Sequence, residues 1–287
     1  MADIISNYQK HHTHISSKHK WFDLKLKEVW RYKDLVWLFT KRSFVVQYKQ
    51  TILGPAWLFL NPIITSFIFT FVFGGIAGMS TDGVPHMIFY LPSTAIWTFF
   101  STCVTQNATT FTANAGVFGK VYFPRLTMPI STVLSAVLQF AIQMIMVLVF
   151  WVFYIVTGQI SPNYIFLLLI PIVLVHLGIM GMGFGIIISS MTTKYRDLSI
   201  LVGFGVSLWM YATPIVYPLS QLGDGTMKTL LMINPVTMPI EVFRYALIGK
   251  GTIDIPFVVI SLVFTIAVAV FGIMIFNKVE RTFMDTV

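Results

Sequence analysis

Six stretches of the sequence are apolar and long enough to cross a lipid bilayer. About 20 residues of α-helix span the hydrocarbon core, where a helix pairs its own backbone polar groups. Only 10% of the residues are charged, whereas a soluble domain carries about 25%. We therefore predict an all-α polytopic membrane protein with six transmembrane helices. The predicted spans lie near residues 56–77, 87–110, 130–157, 164–190, 199–218 and 256–277.

The positive charges predict how the chain is oriented. Sixteen of the 19 Lys and Arg residues fall in the N-terminal segment, after the second and fourth spans, and in the C-terminal tail. Only Lys228, Arg244 and Lys250 fall on the opposite side. Lys and Arg accumulate in cytoplasmic loops, so we expect both termini to be cytoplasmic. Residues 1–50 then form a cytoplasmic tail and residues 51–287 the transmembrane domain.

The N-terminal segment shows an amphipathic pattern. Its apolar positions recur at helical spacing among Lys and Arg residues; they are Phe22, Leu26, Val29 and Trp30. This pattern predicts a helix that lies in the cytoplasmic membrane interface. A surface helix in solution is the alternative interpretation.

Four histidines lie before that helix in a polar segment: His11, His12, His14 and His19. Metal sites combine histidine with cysteine or carboxylate ligands held in place by a fold. This segment supplies no cysteine and no set of carboxylates. We therefore predict a disordered tail and no metal site.

Residues 223–255, between the last two spans, are too apolar for a free external loop. Asn234-Pro235 interrupts the segment in the middle, and the residue before a proline is disfavoured in a helix. We predict two short external helices that dip back toward the membrane before the last span. Such re-entrant helices are tolerated where they are buried against protein.

The predicted spans carry almost no ionisable side chains. Asp82, in a predicted external loop, is the only charged residue between Thr51 and Thr110. Intramembrane charges mark ion pathways, and acid–base groups or metals mark catalysis, so both roles are disfavoured. We expect His176 to bond to a neighbouring helix rather than relay protons. No G-x-x-x-x-G-K-[ST] phosphate loop, the motif that binds ATP, occurs in the sequence. We therefore expect that the chain is not an enzyme and binds no cofactor, and that a partner protein supplies the energy.

Uncharged polar residues form two helical stripes. The second span carries Thr94, Thr98, Thr102, Thr105 and Thr109, and the third carries Ser131, Ser135, Gln139 and Gln143. Steps of three and four residues place each set on one helix face. Such a face either joins helices or borders a hydrated channel, and both interpretations remain open here.

The fifth span ends in an aromatic segment. Met210 and Tyr217 share one face, Tyr211 lies beside them, and Pro214 is expected to kink the helix. Aromatic rings and hydroxyls without charge suit the lining of a channel for a sugar polymer. An aromatic belt at the membrane interface is the alternative.

Five segments follow one another in a specific order: Arg42–Trp57, Lys120–Arg125, Tyr195–Leu198, Tyr211–Tyr217 and Asn234–Arg244. In this order they resemble type-2 ABC exporter permeases. The most similar subgroup exports O-antigen, teichoic acid and capsular polysaccharide. Each motif alone is modest, but the five together cover about residues 20–287 and make the resemblance specific.

The resemblance implies the permease subunit of an ATP-driven exporter in the bacterial cytoplasmic (inner) membrane. It implies a channel between two copies of the chain, and two copies of a separate ATPase that carry ATP and Mg. The implied cargo is an undecaprenyl-pyrophosphate-linked polysaccharide, with membrane lipids around the protein and no nucleic acid. The alternatives are a drug or lipid permease and a non-transport component of envelope glycan synthesis. The last would need external carboxylates, of which the chain has Asp82, Asp224, Glu241 and Asp254.

The resemblance also implies roles for individual residues. The ATPase-coupling set is Phe118, Lys120, Tyr122, Phe123, Pro124, Arg125, Tyr195, Arg196 and Asp197. Arg42, Tyr48 and Lys49 would receive the lipid head, and Asn234, Pro235, Glu241 and Arg244 would belong to an external gate. The cationic members alternatively serve only to set orientation, and Glu241 and Arg244 alternatively pair with each other.

Overall fold

The structure is a computed structural model of the 287-residue chain, and it describes residues 26–49, 51–121, 123–195, 197–223 and 225–286. Side chains are described within these ranges from residue 28 to residue 279. All regular elements in the described part are helices. The predicted all-α fold is therefore confirmed, while Phe22 and the four N-terminal histidines lie outside the described residues.

Twelve α-helices are numbered here in chain order. They are α1 (Leu26–Arg31), α2 (Lys33–Tyr48), α3 (Trp57–Phe69), α4 (His86–Asn107), α5 (Thr110–Phe118), α6 (Thr127–Val156), α7 (Tyr164–Leu167), α8 (Ile170–Thr192), α9 (Leu198–Tyr211), α10 (Thr226–Ile233), α11 (Thr237–Ile248) and α12 (Ile255–Thr286). A 3-10 turn, Gly54–Ala56, precedes α3 and a π-helical segment, Thr70–Ile76, extends it. A second 3-10 turn, Leu219–Gln221, follows α9.

Five helical segments in the described chain are long and apolar enough to cross a membrane. They are Gly54–Ile76, His86–Asn107, Thr127–Val156, Ile170–Thr192 and Ile255–Val279. They coincide with the first four predicted spans and the last. The remaining one, α9, has 14 residues and measures about 21 Å, less than a hydrocarbon core of about 30 Å. A sixth crossing therefore remains a prediction.

Two predicted boundaries differ from the structure. The fifth predicted span runs to residue 218, but α9 ends at Tyr211, so Pro214 follows the helix instead of kinking it. The fourth predicted span starts at residue 164, where the structure has the single turn α7 and then a separate α8. Pro171 lies in the first turn of α8, where its missing N–H costs nothing.

Helix α4 is the centre of the bundle and is buried along most of its length. It packs against α6 and α8, with α3, α9 and α11 around it. Gly181 and Gly185 predict a close helix approach, and the structure shows it. A Cβ on Gly181 would lie 2.6 Å from Cβ of Cys103, and one on Gly185 would lie 2.3 Å from Cβ of Asn107.

Helix α8 holds the one histidine placed deep within the described spans. Nε2 of His176 in α8 lies 2.8 Å from Oγ1 of Thr265 and 3.2 Å from Oγ of Ser261, both in α12. The predicted bond to a neighbouring helix is therefore confirmed. With both hydroxyls engaged, His176 joins α8 to α12.

The N-terminal segment is helical from Leu26 onward, as the amphipathic pattern predicts. Val29, Val36 and Phe39 are buried, and α2 packs along α6. Trp30 and Trp37 remain exposed on the other side. The helix has the two faces that a position in the membrane interface requires, and that position remains a prediction.

Candidate functional site

One face of α4 is open, and every residue on it is polar. Between Thr98 and Thr109 the half-buried positions carry hydroxyl or amide groups, and all other positions are buried. The open positions are Thr98, Ser101, Thr102, Thr105 and Gln106 in α4, and Thr109 in the turn that follows α4. At 3.6 residues per turn the five positions in α4 cover a sector of about 140° and a length of about 12 Å. We call this set the polar face of α4.

Two hydroxyls of the polar face donate to carbonyls of their own helix. Thr98 Oγ1 donates to the Thr94 carbonyl at 2.8 Å, and Thr105 Oγ1 donates to the Ser101 carbonyl at 2.8 Å. A hydroxyl whose proton is used in this way keeps acceptor lone pairs. The face can therefore accept hydrogen bonds from water or from another hydroxyl compound without presenting a charge.

Thr94, the first member of the predicted stripe, lies elsewhere. It is 3% exposed, and its hydroxyl lies 3.2 Å from Oγ of Ser66 in α3. The predicted channel-lining role does not match this position, because α3 covers the side chain. Thr94 joins α3 to α4 at the point where the polar face ends.

The second predicted stripe, on α6, is buried. Ser131, Ser135, Gln139 and Gln143 are all covered by neighbouring helices. Nε2 of Gln139 donates to Oε1 of Gln47 in α2 at 3.0 Å, while Gln143 Oε1 has no hydrogen-bond partner within the described residues. Burial favours the helix-packing interpretation, so Gln139 and Gln143 border no open surface of the chain.

A groove meets the polar face at its Gln106 end. It encloses about 510 Å³ and is lined by Phe39, Arg42, Ser43, Val46, Gln47, Gln106, Asn114 and Met128. The polar groups are amides and a hydroxyl, and Arg42 is the one cation among these lining residues. The predicted lipid-head residue Arg42 therefore stands beside the polar face.

The two other predicted lipid-head residues end the same helix. Lys49 is exposed at the end of α2, and Tyr48 packs against the Phe44 ring at a centroid distance of 5.3 Å. Burial raises the pKa of Tyr48 to about 12, so its hydroxyl keeps its proton. Neither residue is among those lining the groove.

A second cavity lies where α9 ends. It encloses about 580 Å³, and its wall includes Tyr211, Tyr217 and Gln221. Tyr211 is 55% exposed, and Tyr217 donates its hydroxyl proton to the Tyr211 carbonyl at 3.2 Å. Met210 instead packs into the protein against a cluster that contains Tyr90. Two of the three residues predicted on this span therefore share an open surface.

Asn234 fastens the segment that follows α9. Its side-chain nitrogen donates to the Ala212 carbonyl at 2.9 Å and to the Thr213 hydroxyl at 3.0 Å. Its side-chain oxygen accepts from Nε1 of Trp209 at 3.1 Å. Next to it, the Pro235 carbonyl accepts from the Ser261 hydroxyl. The predicted gate residues Asn234 and Pro235 thus connect α10 and α11 to α9 and α12.

Glu241 and Arg244 form a buried ion pair in α11. The two charged groups are 3.0 Å apart and both side chains are 1% exposed, which confirms the predicted pairing. Burial raises the pKa of Glu241, and the neighbouring Arg244 guanidinium opposes that rise. Arg244 also lies 4.4 Å above the Phe89 ring and donates to the Pro214 carbonyl.

The second oxygen of the Glu241 carboxylate binds the connection between α11 and α12. Oε2 of Glu241 accepts from the Thr252 backbone N–H at 2.8 Å. The ion pair therefore ties α11 to α4, to the segment after α9 and to the connection before α12. We call this pair, together with Asn234 and the segment 212–216, the outer clamp.

The sequence profile described as ABC-2 type transporter matches residues 34–248 of this chain. The chain belongs to this family. It is 28% identical to a Klebsiella pneumoniae protein named O-antigen export system permease protein RfbA, over 88% of this chain and 94% of that protein. A Myxococcus xanthus protein of the same name is 28% identical over 74% of this chain and 79% of that protein. These matches, with the apolar helices, make the chain a multi-pass membrane component of a transporter.

In this ABC-2 chain the first predicted coupling loop is mostly buried. Phe118, Phe123 and Pro124 are covered by the chain itself, and the Phe123 ring packs 5.6 Å from Phe39 and 5.8 Å from Phe118. These three side chains offer no surface to a partner in this structure, contrary to the expected docking role. The cause is an aromatic cluster that α2, α5 and α12 close around them.

The exposed part of that loop overlaps the predicted one only in part. Lys120, which was predicted, is exposed, and so is Val121 at 59%, which was not predicted. Arg125 is half-buried, with its guanidinium carbon 5.5 Å from the Phe118 ring centre. Tyr122 lies outside the described residues. The buried rings hold the loop, and the neighbouring residues form its surface.

The second coupling loop is open. Tyr195 is 53% exposed, and Nζ of Lys194 lies 5.3 Å from the centre of its ring. Asp197 is exposed as well, and Arg196 lies outside the described residues. Tyr195 and Asp197 are therefore accessible to a partner, and their role in ATPase coupling stays a prediction.

The sequence patterns did not identify several residues of the open surface: Gln47, Ser101, Gln106, Asn114 and Val121. A helical projection could have found Ser101 and Gln106, since each lies within one step of Thr102 and Thr105 on the same face. No pattern marks Gln47 or Asn114, because the groove forms only when α2, α5 and α6 come together. Among the described residues, no group of three His, Cys, Asp or Glu could hold a metal.

Proposed function

We propose that this chain is the permease subunit of an ATP-driven exporter of lipid-linked polysaccharide. Two copies form the channel, and two copies of a separate ATPase supply the energy. The relatives named as O-antigen export permeases support a polysaccharide cargo. The proposal includes O-antigen, teichoic acid and capsule types of polymer.

One observation of this structure carries the proposal: the open half of α4 is polar at every position. A helix face toward lipid is apolar, because hydroxyls and amides pair poorly with hydrocarbon. A polar and uncharged face instead fits water and sugar hydroxyls. Since one bundle presents only one such face, a second copy that faces it would complete a hydrated channel.

ATPase coupling is assigned to the exposed parts of the two loops. Lys120, Val121 and Arg125 would meet the ATPase from the first loop, and Tyr195 and Asp197 from the second. ATP and Mg bind to that partner, and this chain supplies no catalytic group. The buried Phe118 and Phe123 act only by holding the first loop in position.

The groove at Arg42 is proposed to receive the phosphate end of the cargo on the cytoplasmic side. Arginine suits phosphate because its charged N–H groups donate to phosphate oxygens. Lys49 lies exposed at the end of the same helix and would add attraction to anionic headgroups. This places both termini in the cytoplasm and the chain in the bacterial inner membrane.

The structure gives little support to the alternative role in glycan synthesis. Of the four external carboxylates, Glu241 is buried against Arg244, and Asp82 accepts two short contacts from the Ser220 hydroxyl. Asp254 is not part of either of these contacts, and Asp224 lies outside the described residues. A carboxylate locked in an ion pair is poorly placed for acid–base chemistry.

The test is deletion of this chain followed by complementation. We expect surface glycan to disappear and lipid-linked polymer to accumulate inside the cell, and we expect the purified chain to bring an ATPase with it. Complementation with the intact chain should restore export. Unchanged surface glycan after deletion would refute the proposed cargo, and purification without any ATPase would refute the proposed partner.

A further inference from the structure

The surface proposed as the cargo path is almost free of charge. The polar face of α4 has six hydroxyl or amide side chains and no ionisable group. The groove at its end adds Gln47, Ser43 and Asn114, with Arg42 as the one charged side chain among its lining residues. A symmetric second copy would present the same residues, so pairing two chains adds no opposite charge to the face.

The surrounding helices do not supply the charges that the polar face lacks. Asp82 is the only charged residue between Thr51 and Thr110, and its carboxylate is bonded by Ser220 in the described structure. The helices behind the face, α6 and α8, contain no charged residue at all. A charge that travels along the face would therefore find no countercharge on it.

The free-energy cost of moving a charge along this uncharged surface discriminates between charged and neutral cargo. Ions leave water at a cost that is offset only by paired charges or by water that follows them. An acidic polymer presents a charge with every repeat along the path, whereas a terminal phosphate presents its charge once. Sugar hydroxyls carry no such cost, because they exchange hydrogen bonds with the threonine hydroxyls and the amides of Gln106 and Asn114.

We propose that the cargo is a polysaccharide whose repeating units are uncharged. This inference rests on the proposed function and narrows it, since teichoic acids and capsules rich in uronic acid carry a negative charge in each repeat. Arg42 at the end of the path receives the one pyrophosphate group at the lipid end. The polar face of α4 then conducts the neutral chain.

The test compares two cargoes in inverted membrane vesicles that contain the full chain and its ATPase. Both cargoes are undecaprenyl-pyrophosphate-linked polymers of equal length, one of neutral hexoses and one with a uronic acid in each repeat. ATP-dependent transfer into the vesicle lumen is measured. We expect the neutral polymer to be transferred at least about ten-fold faster.

A charged variant makes the test sharper. Thr102→Lys places a cation in the middle of the polar face and should raise transfer of the acidic polymer relative to the neutral one. Thr102→Gln, of similar length but uncharged, is the matched control and should keep the preference of the unmodified chain. Gln106→Lys provides the same measurement at the edge of the groove if Thr102→Lys does not assemble.

The possible results separate this inference from the proposed function. Equal transfer of both polymers by the unmodified chain would overturn the neutral cargo and leave the exporter intact. Transfer of neither polymer would overturn the exporter and this inference together. If both Lys variants assemble and the preference does not change, the polar face is not the surface that selects the cargo.

Discussion

The two ends of α4 differ in almost every physical respect. From Thr98 onward one face of the helix is open and uncharged, and the Thr98 and Thr105 hydroxyls on it donate within their own helix. Toward its start it is buried under the outer clamp, where Arg244 lies above the Phe89 ring. A surface along which a polymer moves needs weak and uniform contacts. A segment that holds helices together, as the outer clamp does, needs a few strong contacts.

Because of this difference, substitutions at the two ends of α4 should have different effects on stability and on transport. Residues of the polar face support little of the fold, since their hydrogen bonds are local. Residues of the outer clamp connect elements far apart in the chain, and Glu241 and Arg244 among them hold buried polar groups that would otherwise lack a partner. Substitutions should therefore affect stability at the clamp and transport at the polar face.

The largest effect on stability is expected from Arg244→Met. This change leaves the Glu241 carboxylate buried without its cation, which costs about 3–5 kcal/mol. The double variant Glu241→Gln with Arg244→Met should be less damaging, because it removes both charges. Thermal unfolding of the purified protein in detergent measures both. Equal loss of stability in the single and double variants would show that the pair is not held together by its charges.

A smaller effect is expected from Asn234→Ala. It removes the acceptor of Nε1 of Trp209 and a donor to the buried Thr213 hydroxyl, and a buried polar group left without a partner costs about 1–3 kcal/mol. The same unfolding measurement reports the loss. Asn163→Ala is the matched control, because its side chain makes only long contacts of 3.4 Å, with the Tyr245 hydroxyl and the Phe166 backbone N–H, and should cost less. A similar loss in both variants would count against the clamp.

The outer clamp also explains where sequence reasoning succeeded and where it failed. Apolar length predicted five of the helices well, because a bilayer leaves the backbone no other structure. The end of α9 was missed because the Ala212 and Pro214 carbonyls bond to Asn234 and Arg244, 22 and 30 residues away in the chain. Local propensity carries no information about such distant partners.

Burial within the first coupling loop was missed for a related reason. Phe118 and Phe123 were recognised as a motif, but the motif does not reveal that Phe39 and Phe276 cover them. Burial depends on helices α2 and α12, which come from opposite ends of the sequence. The α4 stripe was the converse case, since helical periodicity alone placed Thr98, Thr102 and Thr105 on one open face.

Val121→Asp should leave the fold intact and weaken ATPase coupling. Val121 is 59% exposed, so we expect stability to change by less than about 0.5 kcal/mol. Loss of an apolar contact at a protein interface should reduce ATPase turnover driven by the permease by about ten-fold. Val121→Ile keeps the apolar surface and serves as control. Normal turnover in the Asp variant would place the docking surface elsewhere.

The smallest effect on stability, and the most direct test of the contrast along α4, is expected from Thr102→Val with Thr105→Val. The shape of the face is kept while two hydroxyls are lost, so stability should change by less than about 0.5 kcal/mol. Export should fall by about three- to ten-fold, because a hydrogen bond contributes about 0.5–1.5 kcal/mol. Thr157→Val is the matched control, since that exposed hydroxyl donates to the Phe153 carbonyl at the end of α6, away from the polar face. If the double variant has a lower unfolding temperature and exports normally, the polar face packs against another helix and does not conduct cargo. The two ends of α4 would then differ in packing alone.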